Sequence, residues 1–328
     1  MVHSSAQSCA ATISTELPTE SATCLFCQRA ATTVVARGRD YEYDTCPDYF
    51  DLVQCQGCSL MFIQPRPAAA AMEVIYPSNY YAYNEEAGEN RFVKFFRDRV
   101  ELVKVRRYRQ LVAKDDATIV DIGCGDGRLL EILRRFGPSP WSFAGVELGD
   151  GAAQRAAAKG FEVRHGDFES LDIHGWQERF DLALMHHVIE HTREPRATVR
   201  KVARLLRRGG IFSVETPEIR GWDFSLFRAR YWGGYHIPRH FFLFNVETLS
   251  RLLREEGFEI VSARSILSPA FWIFSLHNWL VDKPAYKGLA KYFHPQNIPV
   301  VAAATAIDLV QMLTTRQSTN LQVLARKI

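Results

Sequence analysis

Four of the seven cysteines fall as two C-x-x-C pairs, Cys24-Leu25-Phe26-Cys27 and Cys55-Gln56-Gly57-Cys58. Four thiolates fill the tetrahedral shell of a zinc ion and leave no open position for a substrate. Cys24, Cys27, Cys55 and Cys58 therefore predict a zinc ribbon that stabilises and does not catalyse. A disulfide framework is not expected of such spacing in a reducing compartment, and Cys9, Cys46 and Cys124 read as plain thiols.

A second group of residues has different chemistry. Asp121-Ile122-Gly123-Cys124-Gly125-Asp126-Gly127 follows a strand-like run and opens a helix-like one. Glycines there let backbone approach a ligand while the helix N–H groups face it, which fits a nucleotide-like molecule. The dinucleotide fingerprint would need glycine at position 128, where Arg128 stands. An acid just before the glycines opposes a pyrophosphate but suits a ligand with a positive sulfonium and an ammonium group. The chemistry favours S-adenosylmethionine. Glu147, at the end of the next predicted strand, is placed to accept both ribose hydroxyls. Asp167, in His165-Gly166-Asp167-Phe168, follows a third strand and is placed to accept from the adenine amino group.

To hold these residues at strand ends the chain needs a doubly wound, Rossmann-like α/β sheet. The pattern supplies one from Ala117 onward, with strands at Thr118 to Ile122, Ser142 to Glu147, Phe161 to Arg164, Phe180 to Met185 and Ile211 to Glu215 alternating with helices. Residues 218–244, rich in aromatics, arginine and histidine, interrupt the alternation and read as a lid. Asn245 caps a further helix, and Phe258 to Ala263 is a further strand. The expected organisation is a flexible tail (1–20), the zinc ribbon (21–66), a connector with Tyr76, Tyr80, Tyr81, Tyr83 and a basic amphipathic helix from Arg91 to Val112 (67–114), the catalytic domain (115–268) and a C-terminal helical appendage (269–328).

A hydrophobic fraction of 47% and a charged fraction of 23% describe a soluble globular chain, and a formal charge of +3 gives no bulk attraction to nucleic acid or anionic membrane. The Ser-, Thr- and Ala-rich start has no signal-peptide pattern, so the cytoplasm is the expected compartment. The apolar stretches Phe271 to Leu280 and Val300 to Leu313 fall short of the roughly 20 uninterrupted residues of a membrane span. The basic helix carries Arg91, Lys94, Arg97, Arg99, Lys104, Arg106, Arg107 and Arg109. These support a rival reading, a zinc-ribbon RNA-binding protein or RNA methyltransferase. The preferred reading is a solvated helix face, which leaves peripheral contact with acidic lipid or a nucleotide sugar open and makes nucleic acid the weaker partner.

Taken together, Asp121 to Gly127, Glu147, Asp167-Phe168, His187-Val188-Ile189-Glu190-His191, Gly209-Gly210 and Glu215-Thr216-Pro217 resemble the class I methyltransferases over about 115–265, within them the group similar to ubiquinone-biosynthesis O-methyltransferases. The resemblance implies that Asp121, Gly123 and Gly125, with Cys124 between them, surround the methionine part, Glu147 the ribose, and Asp167 with Phe168 the adenine. Where that group carries a further acid three residues before its Glu-His pair, this chain has His187. The run Cys55 to Phe62 with Pro65-Arg66-Pro67 resembles the ribbon of methyltransferases found with bacterial sugar and surface-glycan enzymes. The implied activity is methyl transfer, most naturally to oxygen, on a small-molecule, sugar or lipid-linked acceptor. Histidine suits removal of the acceptor proton near neutral pH. Trp232 to His240 holds two, and the family's Pro-Arg-His pattern here points to His240 ahead of His236, with Glu190, His187 and His191 as further candidates.

Overall fold

The computed structural model describes residues 16–28, 31–77 and 91–328, with the side chains of 91–98, 100 and 101 left out. Tyr80, Tyr81 and Tyr83 of the connector, Cys9 and most of the expected tail lie outside the described residues.

The N-terminal module contains β1 (Thr19–Glu20), β2 (Thr32–Gly38), β3 (Phe50–Cys55), β4 (Met61–Ile63) and β5 (Arg66–Pro67), followed by α1 (Met72–Ile75). β2, β3 and β4 form an antiparallel meander in which Thr32 faces Cys55 and Val53 faces Phe62. Then α2 (Arg91–Val112) leads into β6 (Thr118–Ile122), α3 (Arg128–Phe136), β7 (Ser142–Glu147), α4 (Asp150–Ala158), β8 (Glu162–His165), β9 (Phe180–His186), α5 (Pro195–Leu205) and β10 (Leu206–Pro217). After α6 (Trp222–Phe227) come β11 (Phe242–Leu243), α7 (Val246–Glu255), β12 (Phe258–Ile266), α8 (Pro269–Val281), α9 (Ile298–Thr315) and β13 (Asn320–Lys327).

Seven strands make the main sheet in the order β12-β13-β10-β9-β6-β7-β8. The five from β10 to β8 are parallel, and β13 runs antiparallel to both neighbours. This is a Rossmann-like doubly wound sheet with one reversed strand. Ile119, Val120 and Ile122 are buried because a parallel strand is covered on both faces. α3 turns Leu130 and Leu133 onto the sheet, and α7 starts at a capping box formed by Asn245 and Thr248.

Three expectations change. First, 269–328 is not a helical appendage, since β13 enters the sheet between β10 and β12, with Val214 facing Val323. Its α9 is also longer than the apolar patch in the sequence and meets the length and hydropathy of a membrane helix. Second, the stretch 218–244, expected as a lid, is packed into the fold as a clamp. β11 joins the N-terminal sheet, with Phe242 opposite Phe62, and Trp232, Arg239 and Phe244 are fully buried. Arg239 donates to both carboxylate oxygens of buried Asp40, at 2.8 and 3.2 Å, and so ties the clamp to the β2–β3 loop. Third, α2 is not solvated along its whole basic face. Lys104 is buried and donates to Glu215 Oε2 at 2.8 Å, while Arg107 reaches Ser262.

Candidate active site

The loop after β6 bends through left-handed backbone at Gly123 (φ +78°), Gly125 (+56°) and Gly127 (+84°), a conformation that side chains resist. At Gly123 an added Cβ would also strike Val188, 2.4 Å away, whereas at Gly125 it would meet nothing within 4 Å. The loop thus leaves open space over its backbone at Gly125. Glu147, at the end of β7, fixes that backbone: its carboxylate accepts from the Gly125 N–H at 2.8 Å and the Gly149 N–H at 2.7 Å. Burial pushes the Glu147 carboxyl up, against those two bonds. Each oxygen keeps a lone pair for a ligand hydroxyl. Asp121 is buried at the end of β6. These residues fit S-adenosylmethionine.

Two residues expected at the cofactor have packed side chains. Cys124 packs its side chain with Leu130, Ala156 and Phe161 and touches Gly145, so any contact with a ligand is by its backbone. Phe168 is buried in the main core beneath Lys201, whose ammonium lies 5.1 Å from the ring centre and donates to the Phe168 carbonyl. Asp167 is exposed after β8 and accepts from the Glu169 N–H. Lys201, which the sequence did not single out, holds the loop that carries Asp167.

Beyond β9 the chain builds a buried cluster of imidazoles and carboxylates. His187 takes a left-handed φ of +55° and sets Nδ1 3.3 Å from Glu190 Oε1. A non-glycine residue held there costs on the order of 1 to 3 kcal/mol and marks a position fixed by its surroundings. Burial works against both charges, yet the His187 carboxylate bond holds Glu190 below its ordinary range and His187 above its own. They form an ion pair. Glu190 Oε2 is buried and has no hydrogen-bond partner among the described residues.

His240 stands on the other side of Glu190, its Nε2 4.0 Å from Oε1. Burial, reinforced by His191, drives His240 well below the usual imidazole range, so it is neutral, and His187 is the cation that keeps Glu190 ionised. The His240 ring meets His191 edge-on at 4.5 Å between centroids and lies 5.1 Å from His236. His236 Nδ1 is 2.7 Å from Glu42 Oε2. Burial lowers His236 to about 3 and raises Glu42 to about 8, so the two share a hydrogen bond without net charge near neutrality. Tyr76 bonds His191 Nδ1 at 2.9 Å. The structure therefore brings His187, Glu190, His191, His236 and His240 together and adds Glu42 and Tyr76 from the N-terminal half.

In the N-terminal module the sulfurs of Cys24, Cys27, Cys55 and Cys58 lie within 4.8 Å of one another. Zinc–sulfur bonds of about 2.3 Å in a tetrahedron separate sulfurs by about 3.8 Å, so the set fits zinc. The two pairs are built alike. Gln28 and Ser59, each just after its second cysteine, take left-handed φ values of +48° and +63° and donate N–H to the carbonyls of Cys24 and Cys55.

Comparison with known proteins bears on the α/β domain. A "Ubiquinone biosynthesis O-methyltransferase" of Parvibaculum lavamentivorans is 33% identical over 130 residues, covering 38% of this chain and 50% of that protein. The protein of the same name from Dinoroseobacter shibae is 31% identical over 162 residues, covering 45% and 62%. The chain thus spans about half the length of the curated relatives it matches. A solved SAM dependent methyltransferase from Archaeoglobus fulgidus aligns over 72% of this chain and 98% of its own, at 18% identity and a TM-score of 0.46. The family profile "Methyltransferase domain" matches residues 92–263, more than half of the chain. With that match over the sheet and its glycine loop, the chain belongs to the methyltransferase-domain family, the S-adenosylmethionine-dependent methyltransferases.

Proposed function

We propose that the chain methylates an oxygen of a small-molecule, sugar or lipid-linked acceptor, with His240 as the base. Bound at the glycine loop, S-adenosylmethionine supplies a methyl group on a positive sulfur. The carrying observation is the buried Glu190 Oε2, without a partner among the described residues, beside a neutral His240. A buried carboxylate oxygen requires a donor, and a second polar hydrogen of the acceptor is one. Glu190 so orients the acceptor, and His240 Nε2 takes the proton of the hydroxyl that is methylated as the oxygen–methyl bond forms and the methyl–sulfur bond breaks. The names of the relatives support oxygen as the nucleophile. The test is release of S-adenosylhomocysteine against panels of phenols, nucleotide sugars and glycolipids, with the product's methyl position read by mass spectrometry. An N- or C-methyl product would reject the oxygen assignment.

Zinc in the four-cysteine site is part of the same proposal, as a structural ion that holds the module against the clamp. A second reading gives Glu190, His191 and His240 a catalytic metal, because one donor atom from each lies within 4.8 Å of the others. It predicts a second metal per chain that His240→Ala removes.

A further inference from the structure

Helix α9 is built inside out. Its only ionisable side chain, Asp308, is fully buried and accepts from the Ser268 N–H at 2.5 Å and the Ser318 hydroxyl at 2.8 Å. Gln311 is buried as well, accepting from the Trp222 N–H at 2.8 Å and donating to the Gln317 carbonyl at 3.1 Å. Ile307, Leu309, Val310 and Leu313 point the other way and are 43%, 45%, 51% and 74% exposed. Over its 18 residues mean hydropathy is 1.5 with 17% buried. A helix on the surface of a water-soluble domain has the reverse arrangement, apolar inward and charged outward.

The segment in front of α9 extends the same character. Tyr286, Leu289 and Tyr292 are exposed, and Trp279 stacks on Tyr286 at 6.0 Å. Exposed Lys283, Lys287 and Lys291 are interleaved with them, and Arg316 follows the helix. From 283 to 316 the sequence has these four cations and one acid, the buried Asp308. An exposed apolar helix preceded by an exposed segment of Trp, Tyr and lysine, with no exposed carboxylate from 283 to 316, is the pattern of a surface that sits among anionic lipid headgroups. Both ends of α9 return to the folded body, since Ala290 in front is buried and β13 begins five residues after Thr315. The helix is therefore held along the folded body at both ends.

We propose that α9, with the Lys283–Tyr292 segment, docks the protein on an anionic membrane surface. The cation fringe selects lipid over a second copy of the chain, whose identical cations would be brought together. The test is flotation of the full-length protein with vesicles of phosphatidylglycerol and phosphatidylcholine, against phosphatidylcholine alone. Anionic vesicles should bind on the order of tenfold or more tightly. Leu309→Glu with Leu313→Glu should lose at least tenfold on the anionic vesicles, and Lys283→Gln, Lys287→Gln and Lys291→Gln together should remove the preference for them. Both substitution sets are at exposed positions, and the parental melting temperature checks their folding. Failure of the parent to float, or binding unchanged in both variants, overturns the proposal. So does light scattering that finds a dimer split by the leucine pair while vesicles bind nothing.

Discussion

His240 Nδ1 lies 2.8 Å from the carbonyl oxygen of Gly234. A carbonyl only accepts, so the ring proton is on Nδ1 and the lone pair is on Nε2, the nitrogen that faces Glu190. One backbone contact inside the clamp thus sets the tautomer a base requires. His240→Ala should lower turnover by about 100-fold or more while affinity for S-adenosylmethionine stays near parental. Because burial holds the imidazole below its ordinary range, the acidic limb of the turnover–pH profile should lie below pH 6.5, the unperturbed value. A turnover loss under tenfold would clear His240 of the role.

Glu147 joins the glycine loop, through Gly125, to the helix that follows, through Gly149. If Glu147 holds the ribose as proposed, Glu147→Ala should remove those bonds and release the loop together, weakening S-adenosylmethionine binding by roughly 2 to 4 kcal/mol. Titration calorimetry measures it. Parental affinity in the variant would take the ribose role away from Glu147.

The legible part of this chain is the part whose pattern is local. Thr118 to Ile122 and Ser142 to Glu147 read as strands because an apolar run ends at a glycine turn, and Asn245 reads as a cap because its partner is three residues on. β13 is hidden because its core includes Gln322, a polar residue acceptable there because it donates to Glu215, 107 positions away, at 2.7 Å and accepts from Arg264 at 2.8 Å. The clamp looked like a lid for the same reason: an isolated aromatic stretch says nothing of Phe62, which β11 pairs with. Of the candidate site, the histidines could be read from their types and neighbours. Glu42 could not, since it lies 194 residues from His236 in a module whose evident chemistry is its cysteines.

One zinc per chain is the expected metal content, held by Cys24, Cys27, Cys55 and Cys58. Cys24→Ser or Cys58→Ser should lose it and lower the melting temperature, because in a small module binding energy is folding energy. The effect should reach the α/β domain, since Arg251 covers Phe26 at 4.4 Å and the clamp strand β11 extends the module's sheet. Elemental analysis decides between zero, one and two ions. Zero removes the ribbon's zinc, and a second ion lost in His240→Ala would favour the metal reading of the imidazole cluster.

The Glu42–His236 contact should give stability a recognisable pH dependence. Burial raises Glu42 from 4.5 to about 8, so the folded protein keeps a proton there that the unfolded chain releases. A raised group contributes stability that is fully present below the unfolded value and is lost as pH climbs through the folded one. The loss proceeds at up to about 1.4 kcal/mol per pH unit. His236 is the opposite case: lowered from 6.5 to about 3, its contribution is present above 6.5 and lost as pH falls through 3. Between pH 6.5 and 8 only the Glu42 slope remains from this pair. Glu42→Gln keeps a donor toward His236 Nδ1 but cannot ionise, so its melting temperature should fall less than the parent's from pH 6.5 to 9. The difference between the two curves, followed by circular dichroism, isolates this group from every other titration the two proteins share. Parallel curves would mean that Glu42 is already ionised in the folded protein, and that His236 is then held by a carboxylate and not by a neutral acid.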